Sequence, residues 1–254
     1  MSSPPRRLFV VALGTMPYAE GLALQRAVAR ARITGAIAED VLLLVEHPPV
    51  FTLGRSTKAS SLPLPAEALR ARGIEVHEIE RGGDVTFHGP GQLVGYPIVD
   101  LKRHRKDLHW YLRQVEEALI EGIAPFGLAG TRSAGYTGVW VESRDAAGAV
   151  VSRKLASIGV HARDWVTWHG FALNVTMEPL RFFDLIVPCG IAGVDMTSVA
   201  RELGAGREAS VERVGREVAR GFGRVFDLVP VFLTPDELRA RLPADAEVPA
   251  AVSA

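Results

Sequence analysis

The single cysteine of this chain, Cys189, is the residue best suited to covalent chemistry. It lies between Pro188 and Gly190, at the end of an apolar run. A lone cysteine is most often an inert buried residue, because a free thiol packs as a small apolar group. Flanking proline and glycine residues instead indicate a turn at the end of an element, where a thiol can be presented to a pocket. The local sequence allows both interpretations.

Lys154 is the second candidate, because it interrupts a run of residues that is otherwise typical of an apolar strand. A lysine on such a strand usually lies at a sheet edge or faces solvent, since lysine is rarely buried. The alternative is that Lys154 lines a catalytic pocket.

A glycine-rich stretch, residues 80–101, contains two clusters, Arg81-Gly82-Gly83 and His88-Gly89-Pro90-Gly91-Gln92. Glycine permits positive φ and lets a ligand approach the backbone closely, whereas proline fixes a turn. The interleaved apolar residues argue against a flexible linker. The stretch therefore predicts two strands around a rigid, backbone-lined pocket. A tight β-hairpin, with glycines that serve turn geometry alone, is the alternative.

Other catalytic signatures are absent from the sequence. The seven histidines have no spacing typical of zinc ligands, and no metal site is predicted. Gly82-Gly83 is not followed by the Gly-Lys-Ser/Thr of a phosphate-binding loop, and there is no Gly-x-Ser-x-Gly nucleophile elbow. Residue chemistry alone thus leads to a cysteine, a lysine and a glycine-rich pocket.

The composition is that of a folded protein with no global charge bias. Of its 254 residues 48% are hydrophobic, which is ample for a core, and the formal net charge is zero. Neutrality argues against nucleic acid or an anionic membrane as a partner. No signal peptide is recognisable, and no apolar run approaches the ~20 residues that span a bilayer. One cysteine fits a reducing compartment, so a cytoplasmic location is predicted.

The elements that must position these residues follow from hydrophobic periodicity and terminal signals. An N-cap is predicted at Asp107, and a capping box at Thr234 with Glu237. Strands are predicted at residues 8–13, 41–45, 93–99, 139–141, 149–161 and 168–175, with a further short strand after a turn within 46–55, and helices at 18–33, 66–72, 108–125 and 211–225. Strands and helices do not alternate regularly, which predicts an α+β fold with a mixed sheet and flanking helices. One domain is expected over residues 1–242, followed by a flexible tail at 243–254.

Six blocks spread over residues 8–226 stand in the order in which they occur in one known family. They are Tyr18 with Gln25, Leu44-Val45-Glu46-His47-x-Pro49-Val50-Phe51-Thr52, Arg81-Gly82-Gly83-x-Val85-Thr86-x-His88-Gly89-Pro90-Gly91-Gln92, Lys154-x-Ala156-Ser157-Ile158-Gly159, Gly170-x-Ala172-Leu173-Asn174, and Pro188-Cys189-Gly190-Ile191 followed by Thr197-Ser198. Together they resemble the lipoyl(octanoyl) transferase family. The resemblance implies the α+β fold of the catalytic domain of biotin and lipoate protein ligases.

The resemblance also implies a role for each block. Cys189 would be the nucleophile and Lys154 its partner. Val85, Phe87 and Leu173 are expected to line an acyl tunnel. The substrate-binding residues would be Arg81, Gly82, Gly83, Asp84, Val85, Thr86, Phe87, His88, Ser157, Ile158, Gly159, Gly170, Phe171 and Ala172.

The family's reaction implies particular partners. The donor would be octanoyl-acyl carrier protein, which brings its own phosphopantetheine. The acceptors would be lipoyl domains of 2-oxoacid dehydrogenase complexes and the glycine cleavage H protein. No ATP and no metal are expected, because exchange between thioesters is nearly isoenergetic and thioester to amide runs downhill.

Two other hypotheses fit the same fold. An ATP-dependent lipoate or biotin ligase would have a glycine-rich adenylate loop after a double arginine, whereas here Glu80 precedes Arg81. A non-enzymatic binding module would be expected to have lost Cys189 or Lys154.

The sequence allows two interpretations each for the basic run at residues 102–106 and for His88. The basic run at residues 102–106 is either a solvated loop or a docking site for the acidic carrier protein. His88 is either a hydrogen-bonded structural residue or a group that helps to hold the thioester.

Overall fold

The computed structural model describes residues 5–144, 147–186 and 194–244. Short 3₁₀ helices lie at Ala59–Ser61, Leu101–Arg103, Ala124–Phe126 and Glu178–Leu185. The strands and α-helices are β1 (Arg7–Thr15), α1 (Tyr18–Thr34), β2 (Asp40–Glu46), β3 (Val50–Leu53), α2 (Ala66–Arg70), β4 (Glu75–Glu78), β5 (Thr86–His88), β6 (Gln92–Ile98), α3 (Leu108–Ile123), β7 (Gly130–Thr131), β8 (Val139–Arg144), β9 (Val150–Arg163), β10 (Val166–Asn174), α4 (Val199–Leu203), α5 (Val211–Phe226), β11 (Val229–Leu233) and α6 (Pro235–Arg239).

The strands of the described chain form two sheets. The larger has eight strands in the order β11-β1-β2-β6-β10-β9-β8-β7, and the smaller has the order β4-β3-β5. Strand β1 runs parallel to β2 and β11, whereas β2, β6, β10, β9, β8 and β7 pair antiparallel. The α+β fold with a mixed sheet and flanking helices is therefore confirmed.

Each face of the large sheet buries an apolar layer. On one face α3 and α5 pack against the sheet, with Val115, Val218 and Phe222 in the core. On the other face α1 contributes Leu24 and Val28 to a second cluster. Because helices cover both faces, the central strands β2, β6 and β10 are buried along almost their whole length.

The helix boundaries follow their terminal signals. Asp107 accepts a hydrogen bond from the Trp110 amide, as expected of an N-cap, and Thr234 with Glu237 forms the predicted capping box. The described residues also contain elements that the sequence did not predict, namely β7, β11, α4 and the 3₁₀ helix at Glu178–Leu185. Strand β11 holds Pro230, which argues against a strand but is tolerated because β11 lies at the sheet edge.

The glycine-rich stretch does not form a hairpin. Strand β5 pairs with β3 in the small sheet, whereas β6 pairs with β2 and β10 in the large one. Between them Gly91 has φ +79°, and a β-carbon there would lie 1.9 Å from the Thr176 hydroxyl oxygen. The hairpin alternative is therefore wrong. The stretch instead carries the chain from one sheet to the other.

The pairing of β8 with β9 has one irregularity, and it sets the orientation of Lys154. Val139 pairs with Ala156 and Trp140 pairs with Lys154, so Leu155 is an extra residue, as in a β-bulge. Lys154 thereby shares a sheet face with Trp140. In the pairing of the described strands, β8 begins opposite Ala156, so residues 157–163 of β9 have only β10 as a sheet neighbour.

Candidate active site

A cavity of about 490 Å³ lies where the small sheet meets β6, β10 and the open edge of β9. This volume is within the range of small-molecule sites. The residues that line it are Tyr18, Arg81, Gly82, Gly83, Asp84, Val85, Thr86, His88, Val94, Tyr96, Leu108, His109, Leu112, Gly135, Tyr136, Thr137, Lys154, Ser157, Ile158, Gly159, Val160, His169, Gly170, Phe171 and Ala172.

The structure brings together every predicted substrate-binding residue except Phe87. Side chains alternate along a strand, so Thr86 and His88 face the cavity while Phe87 points away and stacks on Phe182 at 4.2 Å. Leu173 lies in the core under α3 and α5. The prediction that Phe87 and Leu173 line the tunnel is thus wrong, whereas Val85 does line it.

Lys154 is buried, with 2% of its surface exposed, and it lines the cavity. This excludes the interpretation of Lys154 as a solvent-facing strand residue. Its Nζ lies 4.9 Å from the centroid of the Trp140 ring, a cation–π distance. Its backbone N–H donates to the Asp195 carbonyl, and its carbonyl accepts from the Thr197 N–H. The lysine is thus held between β8 and the segment 195–197.

Gly138 makes room for this lysine. Its φ is +140°, and a β-carbon would lie 2.5 Å from the Ala156 carbonyl oxygen and 3.0 Å from Lys154 Cε. The Gly138 N–H donates to the carboxylate of Glu116, which is fully buried and also accepts from Arg113 and Arg132. Glu116 therefore fixes the loop at 132–138, which forms one rim of the cavity.

Arg81 anchors the glycine loop rather than extending from it. Its guanidinium donates to the Thr52 carbonyl at 2.6 Å and to the Thr52 hydroxyl oxygen at 3.0 Å. The Gly82 N–H donates to the Val160 carbonyl, so the loop crosses the open edge of β9. A β-carbon on Gly159 would lie 2.7 Å from the Gly82 carbonyl oxygen, which explains a glycine there.

His88 has a defined tautomer, because a chain of bonds fixes the direction of each donor. The Thr197 carbonyl can only accept, so Asn174 donates to it through Nδ2 and accepts from Gln92 Nε2 through Oδ1. Gln92 Oε1 then accepts from His88 Nδ1–H at 2.9 Å. His88 Nε2 is left with its lone pair, 3.5 Å from the Thr52 hydroxyl. His88 is therefore hydrogen-bonded and also lines the cavity.

His47 is fixed by the same logic. Its Nδ1 lies 2.7 Å from the Met16 carbonyl and must donate to it, so Nε2 accepts from the Tyr96 hydroxyl at 2.7 Å. Burial lowers the pKa of His47 to about 4 and that of His88 to about 3. Both rings are therefore neutral at pH 7, since burial penalises the charged form.

These two histidines predict acid sensitivity. Unfolded histidine has a pKa near 6.5, so below that pH the unfolded chain binds more protons than the native one, and native stability falls. Between pH 6.5 and 4.5 each should lower the free energy of unfolding by up to about 2 kcal/mol. Urea unfolding across this range would measure the loss. His47→Gln or His88→Gln should flatten the profile, and a flat wild-type profile would contradict the assignment.

Some predicted features fall elsewhere. Cys189 and residues 245–254 of the expected tail lie outside the described residues. In the basic run His104 is buried against Asp40 at 2.7 Å, and Arg103 bonds to the Ala38 carbonyl. Lys102, Arg103, Arg105 and Lys106 are exposed and available for docking, and that role stays a prediction.

Several cavity residues were not identified from the sequence. Leu108 and Leu112 have the helical spacing of core residues, yet they line the cavity, and Leu108 is 39% exposed. Tyr96 and His169 lie in apolar runs that signal only buried strands. Tyr18 begins α1, where nothing local distinguishes a cavity residue from a core residue.

Two searches of the described residues gave negative results. Over 5–144, 147–186 and 194–244, no group of three or more His, Cys, Asp or Glu side chains is placed to hold a metal ion. In the same residues no helix is both long and apolar enough to cross a membrane.

Comparison with known proteins decides the family. The sequence model of the lipoyl protein ligase A/B catalytic domain matches residues 17–223. An octanoyltransferase of Acidobacterium capsulatum is 50% identical over 221 residues, covering 84% of this chain and 88% of the relative. The chain belongs to this family. An octanoyltransferase of Rubrobacter xylanophilus is 49% identical over 214 residues, covering 84% of this chain and 90% of the relative.

Solved structures of the lipoyl protein ligase A/B family share the fold. A bipartite lipoate protein ligase from Thermoplasma acidophilum superposes with a TM-score of 0.65 at 16% identity, over 93% of this chain and 91% of that one. Lipoate-protein ligase A bound with ATP gives a TM-score of 0.66 at 16% identity, over 94% and 93%. At this identity the likeness concerns the fold alone. The high identity to octanoyltransferases makes this chain an enzyme that transfers octanoyl groups.

Proposed function

We propose that the chain takes an octanoyl group from acyl carrier protein onto Cys189 and passes it to a lysine of a lipoyl domain. The observation that carries this proposal is the placement of Lys154 inside a glycine-walled, largely apolar cavity. An ammonium group buried at such a site is suited to activating a thiol and to moving protons. The segment 195–197, which bonds to the backbone of Lys154, follows Cys189 closely in the sequence.

In the first half-reaction the Cys189 thiolate attacks the thioester carbonyl of the donor. The S–C bond to phosphopantetheine breaks, and the leaving thiolate takes a proton from Lys154. A free thiol of pKa near 8.5 is about 3% ionised at pH 7. A cation within a few ångströms that lowers this pKa by about two units makes roughly three-quarters of it thiolate. Lys154 therefore serves first as the charge partner and then as the acid.

In the second half-reaction the amine of the acceptor lysine attacks octanoyl-Cys189. The C–N bond forms, the C–S bond breaks, and Lys154 takes the proton that the amine loses. Thioester to amide is downhill, so the reaction requires no nucleotide and no metal. This distinguishes the proposal from ATP-dependent ligation on the same fold.

Cavity groups in β5 and the glycine loop would hold the acyl group. The Thr86 hydroxyl is buried and has no hydrogen-bond partner among the described residues, so it is available to a substrate oxygen. Val85, Val94 and Ile158 provide apolar surface for the chain. His88, oriented through Gln92 and Asn174, presents a neutral imidazole to the same space.

The partners follow from this chemistry and from the relatives. The Thermoplasma structure is described together with its E2 lipoyl domain, which supports a lipoyl domain as acceptor here. We extend this to the lipoyl domains of 2-oxoacid dehydrogenase complexes and to the glycine cleavage H protein. Acyl carrier protein is the donor, and the cytoplasm is where these proteins would meet.

Intact mass spectrometry tests the proposal directly. After mixing with octanoyl-acyl carrier protein in the absence of nucleotide, the wild type should carry one octanoyl group, and adding a lipoyl domain should remove it. Cys189→Ser should form no hydroxylamine-labile adduct. An adduct that requires ATP, or octanoyl transfer that survives in Cys189→Ala, would refute the thioester mechanism.

A further inference from the structure

The cavity has two chemically different ends along β9 and β10. Lys154 lies at one end, and Val160, the register partner of His169, lies six residues further along β9. At about 3.3 Å per residue this separates the two ends by roughly 20 Å. One register of the wall between them bears no side chain, because Gly159 pairs with Gly170. Gly82 and Gly83 line the same passage.

His169 lines the cavity at the register far from Lys154. It is 2% exposed, and its φ of +55° is unusual for a non-glycine residue within a strand. Such strain persists only where the surroundings enforce it, and it often marks a functional position. Here the backbone N–H of His169 donates to Gln25 Oε1 at 3.0 Å. The ring is thereby placed against the cavity instead of continuing the regular alternation of β10.

A polar layer lies behind this ring. Glu80 Oε1 is 3.7 Å from His169 Nε2 and accepts from Trp168 Nε1 at 2.9 Å, while two bonds from Arg26 hold the same carboxylate. His169 Nε2 and Gln25 Nε2 are both buried and have no hydrogen-bond partner among the described residues. An alkyl chain that displaced the ring would enter this layer and find no apolar contact there.

We propose that His169, held by Gln25 and Glu80, is the wall that limits acyl chain length in this enzyme. An extended eight-carbon chain is about as long as three residues of strand, roughly 10 Å. For the methyl end of an octanoyl group to reach the register of His169, the Lys154 side chain and the thioester must span the remaining distance, roughly 10 Å. Two further carbons would have to displace the imidazole ring of His169, whose backbone N–H is bonded to Gln25 and whose Nε2 lies 3.7 Å from Glu80. This inference rests on the proposed function.

The test compares chain-length profiles of variants that tolerate positive φ. Transfer rates would be measured with hexanoyl-, octanoyl-, decanoyl- and dodecanoyl-acyl carrier protein. Because one methylene group in a pocket changes kcat/KM by about 10- to 200-fold, the wild type should strongly prefer octanoyl over decanoyl. His169→Gly removes the ring and should raise the decanoyl-to-octanoyl ratio by at least about tenfold. His169→Asn, which keeps a shorter polar group, should give an intermediate ratio.

His161→Gly is the matched control, because His161 lies on β9 opposite Trp168 and outside the cavity. It should keep the wild-type ratio. Thermal stabilisation by free octanoate and decanoate gives a readout that does not depend on catalysis, and only the His169 variants should gain decanoate binding. Folded His169 variants with the wild-type ratio would overturn the inference while octanoyl transfer stands. A wild type that takes no octanoyl group from carrier protein would instead overturn the proposed function.

Discussion

Replacement of Lys154 with glutamine is expected to lower octanoyl transfer by about a thousandfold, within the range for loss of a general acid–base group. Lys154 is buried beside Trp140 in the cavity, so no neighbouring solvent-exposed lysine can take its place. Without the ammonium group the Cys189 thiol should ionise at higher pH, because an opposite charge no longer favours the thiolate. Iodoacetamide alkylation of Cys189 as a function of pH would measure the shift.

Two further variants separate charge from proton transfer at this site. Lys154→Arg restores the cation but transfers protons poorly, so alkylation should recover more than turnover does. Lys58→Gln is the control, because Lys58 is exposed and lies outside both the cavity and the basic run, and it should change neither quantity. If Lys154→Gln left both the alkylation midpoint and octanoyl transfer unchanged, Lys154 would be a structural residue. His88 would then be the next group to test.

Glu116→Gln should have the largest effect on stability, about 3 kcal/mol in the free energy of unfolding. The carboxylate is fully buried and accepts from Arg113, Arg132 and the Gly138 N–H. In the glutamine side chain an NH₂ group replaces one carboxylate oxygen, so its hydrogens would oppose the N–H donors that now bond to Glu116. Because the loop at 132–138 contributes cavity residues, kcat/KM should fall as well. Urea denaturation and steady-state kinetics measure the two effects.

Glu117→Gln is the matched control for this prediction. Glu117 is the next residue and also pairs with Arg132, but its side chain is 39% exposed. Exposed ion pairs contribute at most about 1 kcal/mol, so this variant should be nearly as stable as the wild type. Equal losses in the two variants would show that burial of Glu116 is not what makes its network important.

Local patterns predicted the elements well but not their relative placement. The helix cap at Asp107, the capping box at Thr234 and the buried strands β2 and β10 follow from residue type and periodicity. Strand β11 was missed because Pro230 is compatible with a strand only at a sheet edge, and edges are set by the whole topology. The hairpin alternative at 80–101 failed for the same reason, since pairing partners are non-local.

The sequence likewise indicated which residues belong to the site but not which way their side chains point. Resemblance identified the loop at 81–88, but strand alternation removes Phe87 from the cavity, and no motif shows which face it takes. The inward orientation of Lys154 depends on one extra residue in β9, and a single-residue shift reverses every side chain of a strand. The role of Glu116 could not be predicted from its own helix, because its partners Arg132 and Gly138 lie 16 and 22 residues further along the chain.

Because β8 begins only opposite Ala156, one long side of the cavity is bordered by β9 and the glycine loop instead of a further strand. In the reaction proposed above, the carrier and the acceptor are each many times larger than the cavity, so both stay outside it while only a flexible arm enters. In each turnover the flexible arm of the carrier must leave the cavity before that of the acceptor enters. The two proteins should therefore compete for the protein surface around the cavity.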